Sequence, residues 1–193
     1  MGFEQIDEAI KAGESAENAD FATPTGTAGI NPLKTEKRKI YIAFHFENAQ
    51  ISGAVVDALS GAFPGFEMPD GSATYILLGA MMPRGEVSPG ESAILHIIWK
   101  TAGNTGNVRF VVDVKPIITG TSSLASAVQR AIIQAANATG GSLSDAKIIF
   151  PPALFTNDQC VSIKIARDGT NSLDTIGAAI QVHGAYLEIL GRC

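Results

Sequence analysis

The sequence predicts an all-β protein: an antiparallel β-sandwich of jelly-roll type with about eight strands, preceded by an extended N-terminal arm that can hold a short helix. Three observations carry this. Successive segments alternate apolar and polar residues with a period of two. Twenty Gly and nine Pro supply the turns that short strands need. Only 17% of residues are charged against 46% hydrophobic, so the chain has a core to bury. At 193 residues, one domain with an appendage fits better than two. The division expected is an arm over residues 1–38 and a sandwich over 39–193.

Within the arm, Ile6 and Ile10 stand four apart over residues 5–12, enough for two helical turns that are marginal alone. Residues 13–29 show no periodicity and cannot form their own core. The arm is either a tail or a segment that orders against a neighbouring subunit, with Ile6 and Ile10 as its contacts. Lys34, Lys37, Arg38 and Lys39 read as a solvated linker.

From Ile40 the pattern changes. Ile40, Ile42, Phe44 and Phe46 alternate with Tyr41, Ala43 and His45, the signature of a strand. Residues 48–56 can add a short strand, and residues 61–66 and 69–71 are turns. Phe63 and Phe66, in the first of these, are expected as exposed contacts for a partner. Residues 73–79 form the next strand. Ser92-Ala-Ile-Leu-His-Ile-Ile-Trp-Lys100 and Val108-Arg-Phe-Val-Val-Asp-Val114 flank a loop rich in Gly and Asn, which predicts a hairpin.

Residues 122–136 are ambiguous. Leu124, Val128 and Ile132 recur every four residues behind a serine, which favours a helix, yet the same three lie on one side of a strand. Strands follow over 146–150, 158–167 and 175–190, the last bent at Gly184.

No motif carries catalysis. His45, His96 and His183 each sit in an alternating run without metal-ligand spacing, and both the Gly-x-Ser-x-Gly elbow and the phosphate-binding glycine patterns are absent. No enzymatic activity and no cofactor are expected. Asp168, Asn171 and Asp174 place three oxygen-bearing side chains in one loop, a weak candidate for a hard cation. Their spacing suits Asx turns better. Trp99, the single tryptophan, reads as core. Cys160 and Cys193 are too few for a disulfide framework.

A net charge of −5 argues against nucleic acid or an anionic membrane as partner. The acidic start resembles no secretory signal, and no apolar run approaches a bilayer span, so a chain made in the cytoplasm is expected.

One resemblance goes further. It runs through Leu77-Leu-Gly-Ala-Met-Met-Pro83, Pro89-Gly-Glu-Ser92, Ile94-Leu-His-Ile-Ile-Trp99 and Gly106-Asn-Val-Arg-Phe110. Cys160-Val-Ser-Ile-Lys-Ile-Ala-Arg-Asp168, Leu173-Asp-Thr175 and Val182-His-Gly-Ala-Tyr-Leu-Glu-Ile189 complete it. In order and spacing this resembles a β-sandwich domain recurrent in tailed-phage and viral-metagenome proteins, over residues 70–190. Phe110 departs from it, standing where the family often has a second Trp, and so does the turn at Thr156-Asn-Asp158.

The resemblance implies a strand over 122–136 and brings no catalytic residues. It also implies a non-enzymatic virion structural protein, foremost a capsid decoration protein made in the host cytoplasm. Such a protein would form homo-oligomers, commonly trimers, and meet the major capsid protein, latching neighbours through its arm. The alternative is a receptor-recognition head, as on a tail fibre, or a carbohydrate-binding module.

Overall fold

Among the described residues eleven strands, most of them built from those alternating runs, form the sandwich. The computed structural model describes residues 37–46, 49–52, 56–57, 65–83, 87, 90–117, 127–151, 154–155 and 159–192. Ile6, Ile10, Phe63 and Leu124 lie outside the described residues. All the strands but the two end residues Lys37 and Arg192 fall in the unit Arg38–Gly191.

The strands are β1 (Lys37–Ala43), β2 (Gln50–Ser52), β3 (Val56–Asp57), β4 (Phe66–Met68), β5 (Ala73–Met81) and β6 (Ala93–Thr101). They continue as β7 (Asn107–Ile117), β8 (Val128–Ala135), β9 (Ser144–Phe150), β10 (Cys160–Asp168) and β11 (Ile180–Arg192). One sheet has six strands in the order β3-β4-β11-β6-β9 with β1 also beside β11; the other runs β2-β5-β10-β7-β8. β4 pairs with β11, β5 with β10, β6 with β9 and β7 with β8, all antiparallel. That nesting is what a long two-stranded ribbon gives when it doubles back between β7 and β8 and wraps into two sheets. The fold is therefore a jelly roll. The roll proper uses β4 to β11, and β1, β2 and β3 extend the sheets; β4 is not among the roughly eight strands that the sequence predicts.

Alternation explains the core. β7 buries Val108, Phe110, Val112 and Val114 on one side, and β10 buries Val161, Ile163 and Ile165. β6 supplies Leu95, Ile97 and Trp99 from the facing sheet. Trp99 is fully buried, the core residue expected.

Three expectations need correction. The strongest hairpin signal is not a hairpin, because β6 pairs with β11 and β9 whereas β7 pairs with β10 and β8. The intervening loop arches from one sheet to the other and sets the Trp99 and Phe110 rings in T-shaped contact across the core, 5.8 Å between centroids. Both runs own a full apolar row, and the arch lets each row face the other. Gly106 in the arch has φ +94°, and a Cβ there would meet the Thr175 carbonyl oxygen at 2.8 Å.

The helical period within 122–136 also fails over its described part, where residues 128–135 form β8. There Val128 and Ile132 pack on the core while Gln129, Ala131 and Ile133 face solvent, a period of two. Third, Phe66 is no exposed loop contact. It lies on β4, 8% exposed, with its ring 5.4 Å from Phe46. Backbone pairing with Val182 turns its side chain into the core.

Candidate functional site: the outer face of the six-stranded sheet

The last strand sets up the site. In β11, Val182, Ala185, Leu187 and Ile189 are all buried, so the inward parity changes between 182 and 185. A bulge between Val182 and Gly184 causes the change, at the bend the sequence suggests. Without the extra residue Tyr186 and Glu188 would share the inward side with Val182. With it they join Gln181 on the outer face.

Neighbouring strands complete the face. Tyr186 is in register with His96 on β6, and His96 with Lys147 on β9. Glu188 is in register with Ile94, and Ile98 with Asp145. The imidazole of His96 stacks on the Tyr186 ring, 4.3 Å between centroids and 11° between planes. Its Nδ1 donates to Asp145 at 2.9 Å and 3.1 Å. Nε2 is buried without a hydrogen bond and stands 3.5 Å from Glu188. From β1, Lys39 donates to Glu188 at 2.7 Å, and Tyr41 meets Tyr186 edge-on at 5.9 Å.

Electrostatics follow from these contacts. The hydrogen bond from Lys39 holds the Glu188 carboxyl below the usual carboxylate range, and the same bond raises the Lys39 ammonium. Burial, with Asp145 and Glu188 nearby, pushes the Tyr186 hydroxyl up. Lys147 lies 3.7 Å from Asp145. The ions on the face are thus largely paired among themselves.

At the opposite end of the same face, Glu67, Gln181 and Lys100 sit side by side in register on β4, β11 and β6. Gln181 donates to Glu67 at 3.3 Å. Beside this row opens a cleft of about 430 Å³, also lined by Thr101, Ala102, Gly141 and Ala178. From Ile94 to Lys100 the face runs about 20 Å, at the usual rise per strand residue. Tyr41 is 58% exposed. Tyr75, on the other sheet, is instead covered by Lys164, whose ammonium lies 4.6 Å from the ring centre.

The loop of Asp168, Asn171 and Asp174 is organised by guanidinium groups. Arg167, fully buried at the end of β10's inward row, donates to Asp174 through Nη2 at 2.9 Å and Nε at 3.1 Å. It also reaches Asp70 and the carbonyls of Met68, Ile176 and Ala178. Asp168 pairs with Arg109, and Asn171 accepts from the Leu173 amide in an Asx turn. The three side chains therefore already serve Arg167, Arg109 and the turn. Among the described residues no group of three or more His, Cys, Asp or Glu stands where it could hold a metal ion. None of Tyr41, Tyr186 or His96 was singled out from the sequence as a site residue. The usable signal was Tyr186 lying beyond Gly184, whose bend decides the side it faces.

No protein-family model and no curated protein matches the chain. Among solved structures it is similar to a family 35 carbohydrate binding module from an environmental isolate, at 11% identity and TM-score 0.46. That match covers 76% of this chain and 86% of the other. A CBM35 from Paenibacillus barcinonensis is similar at 8% identity and TM-score 0.45, covering 78% and 97%. An exo-beta-1,3-galactanase from Phanerochaete chrysosporium is similar at 13% identity and TM-score 0.45, covering 75% of this chain but only 28% of the enzyme. These are likenesses of fold.

Proposed function

We propose that the protein is a non-catalytic recognition module that binds a neutral oligosaccharide along the outer face of its six-stranded sheet. The observation that carries this is the pairing of solvent-facing aromatic surface with balanced charge on one face. Tyr41 and Tyr186 offer ring surface to the apolar C–H face of a sugar, while their hydroxyls and the flanking polar groups serve its hydroxyls. Among the described side chains of the face, Lys39, Lys100 and Lys147 stand against Glu67, Asp145 and Glu188, three cations against three anions, which favours a neutral over a charged polymer. His96 supports binding rather than turnover. Its ring is covered by Tyr186, and its second nitrogen, Nε2, is buried beside Glu188.

The test is a panel of neutral and acidic polysaccharides, followed by calorimetry on the best ligand. A neutral glycan should bind, and Tyr41→Ala should weaken it about tenfold without unfolding the domain. Silence across the panel, or full affinity in the variant, contradicts the reading.

A second reading follows the virion resemblance, in which this recognition face belongs to a protein on an assembled particle. It is favoured by apolar side chains standing in solvent at the sandwich rim, Leu143 and Ile149 among them. Co-sedimentation with assembled phage heads, against the protein spun alone, tests it: pelleting only with heads supports the reading and no pelleting contradicts it.

A further inference from the structure

We infer that β9 is the seam of a homodimer in which two copies pair antiparallel, edge to edge, about a two-fold axis through Ala146. Among the described residues β9 closes the six-stranded sheet and pairs only with β6; β8, at the edge of the other sheet, comes near it without pairing, so the second side of β9 has no strand ladder. The strand is seven residues without proline or bulge, and the charges that could blunt its edge, Asp145 and Lys147, are of opposite sign and so complement a second copy.

The sequence of this edge complements itself. With the axis at Ala146, Asp145 faces Lys147 of the second copy, and the contact occurs twice. One step further out, Leu143 faces Ile149 of the second copy, also twice. These two are 57% and 63% exposed, and directly opposed side chains of an antiparallel pair come into contact. Asp145, Lys147 and Ile149 belong to the outward parity of β9, as the buried alternates Ala146, Ile148 and Phe150 require, and the exposed Leu143 immediately precedes the strand.

Competing registers are penalised. Moving the axis to Lys147 sets lysine on lysine, and moving it to Asp145 sets aspartate on aspartate. A one-residue slip opposes the outward row with the buried row. The open edge of β8 offers no such match, because Arg130 is its sole charge. Pairing through β9 joins two six-stranded sheets and makes their outer faces continuous. It stands independently of the glycan reading, and it gives two-fold symmetry rather than the trimer that the phage resemblance implies.

The experiment is the solution mass of the full chain by sedimentation, without ligand, over a concentration series. The wild type should form a dimer. Lys147→Asp, an exposed change, should weaken self-association roughly tenfold or more by opposing like charges. Asp145→Lys should do the same alone, and an equimolar mixture of the two variants should restore a dimer. Ile149→Ser offers a charge-neutral check and should also weaken the dimer. A wild type that stays monomeric or forms trimers overturns the inference, as does a dimer insensitive to Lys147→Asp and Ile149→Ser.

Discussion

Arg167 grips Asp174 through two hydrogen bonds, of 2.9 Å and 3.1 Å, with both side chains withdrawn from solvent at the end of the sandwich. The guanidinium also caps three backbone carbonyls, so it ties β10, β4 and the loop before β11 into one end structure. Arg167→Met keeps bulk but leaves the buried carboxylate without its cation. We expect a loss of about 3–5 kcal/mol, read by urea denaturation. A loss within experimental error would mean that the pair does not organise the loop.

The arch between β6 and β7 makes a separate prediction. Phe110→Ala empties the space against Trp99 and should cost about 3–5 kcal/mol. Ile133→Ala, on the solvent side of β8, should stay within about 0.5 kcal/mol. Comparable losses at both positions would contradict the assignment of inner and outer rows.

Gly106 and Gly184 were both turn or bend positions in the sequence, but they should respond differently. Gly106→Ala combines a positive φ with a backbone oxygen 2.8 Å from the new Cβ, and should cost at least about 1 kcal/mol. Nothing would meet a Cβ at Gly184, so Gly184→Ala should be close to neutral in thermal melts.

The Lys39–Glu188 bond should leave a signature in pH. Glu188 is lowered on folding, so its contribution is complete above the unfolded carboxylate value of about 4.3 and fades as pH falls through the lower folded value. Lys39 is raised, so its contribution is complete below about 10.4 and fades as pH rises through the folded value. The stability difference between wild type and Lys39→Met should therefore be flat through neutrality and shrink at both extremes. A difference that does not vary with pH would show that the bond carries no linkage.

Much of the fold was legible because a half-buried strand writes its own period. The strand over residues 160–168 and the core role of Trp99 follow from local alternation. Partner choice between strands does not. Residues 92–100 and 108–114 look like a hairpin because the Gly- and Asn-rich loop suits either a tight turn or an arch. Only the facing rows of Trp99 and Phe110 decide between them. Phe66 was misplaced because its pairing with Val182 lies 116 positions away in sequence. The site was harder still. Tyr186 reaches the outer face through a one-residue bulge, and its neighbours Tyr41, His96 and Asp145 come from three other strands.

The most direct measurement is an amide chemical-shift titration of the isotope-labelled protein with its best neutral oligosaccharide. Shifts should gather on β1, β6, β9 and β11 around Tyr41, His96 and Tyr186, leaving β5, β7, β8 and β10 unmoved. Shifts gathered on the five-stranded sheet instead would contradict the account.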